Sequence, residues 1–119
     1  MSTLVTLDFL KLTEYPQFQI VKFQGQIDES NLKEVTDQIS SYAEDEKITV
    51  LIFDFQELEF LNSKVIGYIA DLHSQLAEMN RKLVIVSASN DVMDILELVG
   101  LTSLVACYTD INSAVQDLD

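Results

Sequence analysis

The chain of 119 residues contains one cysteine, one proline, one histidine, three glycines and no tryptophan. A single cysteine, Cys107, excludes an intramolecular disulfide and a cysteine-built zinc site. Its setting, Leu104-Val105-Ala106-Cys107, reads as a small buried residue on a strand, and a lone thiol suits a reducing cytoplasm. Glycines at 25, 67 and 100 alone spell neither a dinucleotide fingerprint nor a phosphate-cradling loop. His73 has no partner at i+4 and no matched nucleophile, so it reads as a structural or surface histidine. Basic residues are scarce too: seven lysines and arginines face twenty acidic residues, a formal charge of −13. That balance opposes binding to nucleic acid or an anionic membrane and suits a partner with a basic groove. No run approaches the roughly 18 apolar residues of a membrane span, and no amino-terminal segment has the pattern of a signal peptide. The carboxylates are scattered, with no pair placed as general acid and base. A cytoplasmic binding protein without metal or cofactor is expected, not an enzyme.

What is present is a 48% apolar content, enough for one core, so residues 1–119 are expected to form a single domain. Leu4 to Lys11 reads as a first strand. Tyr15-Pro16-Gln17 reads as a turn, and Phe18, Ile20, Val21 and Phe23 as a second strand closed by Gly25. Leu32, Val35, Ile39 and Tyr42 recur at helical spacing, with Asp28 or Ser30 as the cap, and Glu44-Asp45-Glu46 reads as a solvated loop. After the central stretch come a buried strand from Leu83 to Val86 and a short helix carrying Val92, Ile95, Leu96 and Val99. Gly100 sits where a left-handed residue ends a helix. Leu104 to Tyr108 reads as a last strand, and Asp110 or Asn112 opens a final helix with Ile111, Ala114, Val115 and Leu118. The order implies a mixed α/β sheet: an opening antiparallel hairpin, then strands and helices in alternation joined by right-handed crossovers.

The centre of the chain is the stretch from Ile48 to Gly67. Ile48 to Phe55 is apolar and rich in β-branched and aromatic residues, as in a strand buried on both faces. A polar interruption from Gln56 to Leu61 leads to Asn62-Ser63, both favoured at helix starts. Val65, Ile69, Leu72, Leu76 and Met79 then recur every three or four residues, so a helix begins near Ser63, and Asn80-Arg81-Lys82 end it with cations that match its dipole. Asp54, at the expected end of the central strand, resembles the phosphoacceptor of a receiver domain. No acidic pair follows the first strand and no lysine ends the last, which sets that reading aside.

The segment Asn62-Ser63-Lys64-Val65-Ile66-Gly67 resembles the Asp-Ser-Ser/Thr-Gly-Leu-Gly motif of STAS domains in bacterial anti-sigma factor antagonists. Gly25-Gln26-Ile27-Asp28 is similar to that family's Gly-Glu-Leu/Ile-Asp. Arg81 to Val86 and Leu96-Glu97-Leu98-Val99-Gly100-Leu101 resemble its later strand and helix, so the likeness runs along the whole chain. It implies a STAS-like mixed sheet with about four helices. It further implies that Ser63 is phosphorylated by a serine-kinase anti-sigma factor, that a serine phosphatase reverses this, and that the unphosphorylated form binds the kinase and frees a sigma factor. On this reading Asp28, Asn62, Ser63, Lys64 and Gly67 face the partner, and the free protein is a monomer. Asp28 reads equally as a helix cap, and Gly67 as a point of close helix packing. Asn62, Lys64 and Val65 replace the family's Asp, second hydroxyl residue and first glycine. Those changes motivate a second reading, a scaffold or adaptor that is not phosphorylated. Nucleotide or small-molecule binding in the same loop is a third.

Overall fold

The computed structural model describes residues 4–119. Five strands form one sheet in the order β1-β2-β3-β4-β5: β1 (Val5–Leu12), β2 (Tyr15–Ile27), β3 (Val50–Leu61), β4 (Lys82–Val86) and β5 (Ala106–Tyr108). The β1–β2 pair is antiparallel and the other three pairings are parallel. This is the mixed sheet with an opening hairpin that the sequence predicts. Helices α1 (Leu32–Glu44), α2 (Ser63–Glu78), α3 (Asn90–Leu98) and α4 (Ile111–Leu118) connect and cover it.

Strand alternation sorts the core into two layers. Val21, Phe23, Leu51, Phe53, Leu83 and Ile85 point to one face, where they meet Val35 and Ile39 of α1, Ile69 and Leu76 of α2, and Val92 and Leu96 of α3. The rings of Phe23, Phe53 and Phe55 meet edge-on or tilted, with centroids 4.9–6.2 Å apart. Phe18, Ile20, Val50, Ile52, Val84 and Val86 point to the other face, which Ala114 and Val115 of α4 cover. Val50 to Phe55 is thus buried on both sides, as its composition requires, whereas Ile48 and Thr49 precede the strand and Thr49 is exposed.

The strands run further than the local sequence signals suggest. Tyr15-Pro16-Gln17 is the start of β2 and not a turn; Thr13-Glu14 turn the chain instead. Gly25 does not close β2, which continues to Ile27, and the polar run after Phe55 is not an interruption, because β3 continues to Leu61. The β2–β3 register slips between Lys22 and Gln24 and again between Gly25 and Gln26, each time placing one extra residue on β3. These bulges convert a two-residue repeat into a three-residue one. Phe55, Leu58 and Leu61 all reach the core, while Gln56, Glu57, Glu59 and Phe60 face out. Lys22 Nζ pairs with Glu57 at 3.2 Å on the outer side.

Gly25 adopts φ +109°, and a Cβ there would lie 2.5 Å from the Leu4 carbonyl oxygen. Gly25→Ala is expected to lower stability by about 2 kcal/mol, the strained φ adding to a clash that fraying of the β1 end relieves only in part. Urea unfolding checks this.

Other expectations need correction. Neither Asp28 nor Ser30 caps α1; Asn31 holds the N-cap position, and the Asp28 carboxylate instead accepts from the Ser30 N–H (2.8 Å) and hydroxyl (2.5 Å). Glu44 lies inside α1 and not in a loop. Met79 follows the end of α2 and is half exposed, so the buried stripe is Val65, Ile66, Ile69, Leu72 and Leu76. Arg81 does not serve the dipole of α2. It is 6% exposed and donates to Ile48 O (2.7 Å), Ala43 O (2.5 Å) and Tyr42 O (3.2 Å), closing the carboxyl end of α1. Leu104 and Val105 are not in the last strand; a 3-10 turn at Leu101–Ser103 precedes it, and Leu104 is exposed. Val99 caps α3 and is half exposed, while Gly100 takes the expected left-handed conformation at φ +82°. Cys107 is half-buried and not fully enclosed; burial, then the charge of Glu97, raises its pKa and keeps it a thiol. Asp110, the helix cap chosen over Asn112, accepts from Ser113 N at 2.7 Å.

Candidate functional site

The far ends of β2 and β3 project past the last β4 pairing, Asp54 with Val86, and carry the first turn of α2 with them. Asn62 ends this projection in extended conformation (φ −109°, ψ −179°), and its Oδ1 accepts from Val65 N at 3.2 Å. Its carbonyl accepts from Ile66 N at 3.1 Å. An asparagine in this position satisfies one of the free N–H groups of the helix start, as the local sequence predicts. Ser63 is the first helical residue; it and Lys64 are exposed.

A second element meets this turn. Asn62 Nδ2 donates to Glu29 Oε2, joining the Asp28–Ser30 loop to the mouth of α2. Asn31, 5% exposed, holds that loop in place: its Oδ1 accepts from Asp28 N (3.0 Å) and its Nδ2 donates to Gln26 O (2.9 Å). Two stretches far apart in sequence, near Asp28 and near Ser63, are therefore bonded neighbours. Asp28 itself is half-buried and turned toward Ser30. Gly67 is exposed, and a Cβ there would have no atom within 4 Å, so close packing is not the reason for a glycine. Residues 63 and 67 are four apart and share one helix face.

Two residues of this surface escape a reading from sequence. Glu29 enters through its bond to Asn62, which no linear spacing announces. Phe60 is 42% exposed, two residues before Asn62. Its alternation signal is scrambled by the bulges, although an aromatic residue within an acidic run was a visible clue.

The groups assembled here are a primary hydroxyl at a helix amino terminus, a flanking ammonium and a carboxylate one side chain away. A phosphate on Ser63 would meet the positive end of the helix dipole and lie beside Lys64. Among the described residues no group of three or more His, Cys, Asp or Glu could hold a metal, and no helix is long and apolar enough to cross a membrane.

The family model of the STAS domain matches residues 10–114. The chain belongs to the STAS domain family. Solved STAS structures share its fold at low identity. One is the anti-sigma factor antagonist SpoIIAA of Bacillus in its unphosphorylated form, with TM-score 0.77, 16% identity, and coverage of 95% of this chain and 96% of that one. Another is an anti-sigma factor antagonist from Mycobacterium paratuberculosis, with TM-score 0.84, 19% identity, and coverage of 96% and 93%. The fold also recurs in the murine Solute Carrier 26 family member A9 anion transporter, at TM-score 0.74 and 18% identity, where 85% of this chain corresponds to 17% of the transporter. The STAS fold therefore occurs both as a whole small protein and as a piece of a large one.

Proposed function

We propose that this STAS domain is an anti-sigma factor antagonist, a cytoplasmic protein-binding module switched by phosphorylation of Ser63. The observation that carries the reading is the exposed Ser63 hydroxyl at the first residue of α2, beside Asn62 and Lys64. Similarity of fold to SpoIIAA, solved in unphosphorylated and phosphorylated forms, supports it. In the unphosphorylated form the surface around Asn62, Ser63, Lys64 and Gly67, with the loop at Asp28, binds a serine-kinase anti-sigma factor and releases a sigma factor. Phosphorylation adds about −1.5 to −2 charges at that contact. Burying such an anion against a partner without a matching cation is costly, so the complex separates while the domain stays folded. A serine phosphatase resets the surface.

The test is direct. The protein is incubated with the serine-kinase anti-sigma factor of its own genome and ATP, and the product is mapped by mass spectrometry. One phosphate is expected, on Ser63, and none on a Ser63→Ala variant. Absence of phosphate at Ser63 counts against the switch.

A second reading, a STAS adaptor that binds without phosphorylation, is favoured by the Asn62–Glu29 bond and by Lys64. The bond occupies the amide that would otherwise be free for a partner, and the ammonium offsets part of a phosphate's charge. Recovery of a stable multiprotein assembly lacking any serine kinase would favour it.

A further inference from the structure

We propose that the groove between α1 and α2, at the opposite end of α2 from Ser63, is a docking site for a basic amphipathic helix of a partner protein. The groove encloses about 460 Å³. Its floor is apolar: Leu72 and Leu76 lie at the bottom, Tyr68 and Ala43 are half-buried along it, and Met79 stands 50% exposed at the end. Burial pushes the Tyr68 pKa up to about 12. Its α1 rim is acidic, with Asp37, Glu44 and Glu46 all exposed.

The placement of these charges is the second reason. Glu44 is the last residue of α1 and Asp45 its carboxyl cap, and the last turn holds no basic residue. Carboxylates there oppose the helix dipole. Asp37 is paired with Lys33 at 2.9 Å, but among the described residues Glu44 and Glu46 make no salt bridge. The Arg81 guanidinium serves that helix end from inside. Leu72 and Leu76 are buried beneath the groove, so what the surface offers is the half-buried Tyr68 and Ala43, the exposed Met79 and the acidic rim. The occupant complementary to both floor and rim is a helix with leucine-like residues on one face and cations on its flank. From Tyr68 to Met79 the floor is about 16 Å long, room for about three turns. A second copy of this chain is disfavoured by a net charge of −13 on each molecule. The inference is independent of the reading at Ser63.

The full chain, labelled with nitrogen-15, is titrated with a synthetic leucine–lysine peptide of about three helical turns. Amide shifts are expected within 36–46 and 68–79. Glu44→Lys with Glu46→Lys, and separately the uncharged Met79→Ser, should each weaken the peptide at least about tenfold, all at exposed positions. Asp94→Lys with Glu97→Lys, the same charge reversal on α3, should change it by less than about twofold. Equal weakening by both double variants would show attraction to net charge alone and overturn the proposal. So would shifts spread over other faces, or a dimer in sedimentation that Met79→Ser abolishes, since a second copy would then be the occupant.

Discussion

Ser63→Asp is expected to weaken binding to the serine-kinase anti-sigma factor by roughly 150-fold, about 3 kcal/mol, while Ser63→Ala binds as the parent does. The reason is the position of the side chain. As the first residue of α2 it is exposed, so a carboxylate there costs the free domain nothing and even gains from the helix dipole. Stability should therefore hold, the melting temperature moving by no more than about 2 °C. The penalty arises only when a partner excludes water from the charge. Isothermal titration of the two variants against the same kinase separates these effects. Equal affinities would mean that position 63 lies outside the contact.

Arg81→Ala is expected to cost about 4 kcal/mol, and for a domain of this size to lower the melting temperature by roughly 15 °C. One guanidinium bonds three carbonyls, those of Tyr42, Ala43 and Ile48, from a position almost sealed from water. Its loss takes a donor from the Ala43 and Ile48 carbonyls, while Tyr42 O keeps the Asp45 N–H, and an unmet buried acceptor costs more than the bond itself contributes. Arg81→Lys should recover only part, since one ammonium does not reproduce a planar fork of donors. Thermal unfolding beside Lys82→Ala gives the comparison: Lys82 is exposed, and its loss should move the midpoint by no more than about 2 °C. Similar losses for the two variants would sink the assignment.

Much of this architecture was legible because its signals are local. The apolar run from Ile48 to Phe55 announces a strand covered on both faces, and Asn62-Ser63 ahead of the Val65, Ile69, Leu72, Leu76 stripe announces a capped helix. Gly100 announces the end of α3 in the same way. The misreadings share a cause in long-range geometry. Gln56 to Leu61 looks like a loop because two bulges break its alternation, and only the pairing with β2 reveals that Leu58 and Leu61 turn inward. Arg81 looks like an ordinary cation after a helix, because its partners lie more than thirty positions earlier in the chain. At the candidate site the same division holds. Ser63 was visible from its neighbours, whereas the link between Glu29 and Asn62 exists only in three dimensions.

The projecting half of β3 carries a hazard along with its chemistry. Beyond Asp54 it has, among the described residues, no strand beside it on the β4 side, and an open strand edge invites other chains to add to it and seed aggregates. The two register slips make that edge irregular, and Glu57, paired with Lys22, and Glu59 put charged side chains along it, which disfavours the addition of a second molecule. The residues that look expendable between Phe55 and Asn62 thus disfavour edge-to-edge pairing with a second copy.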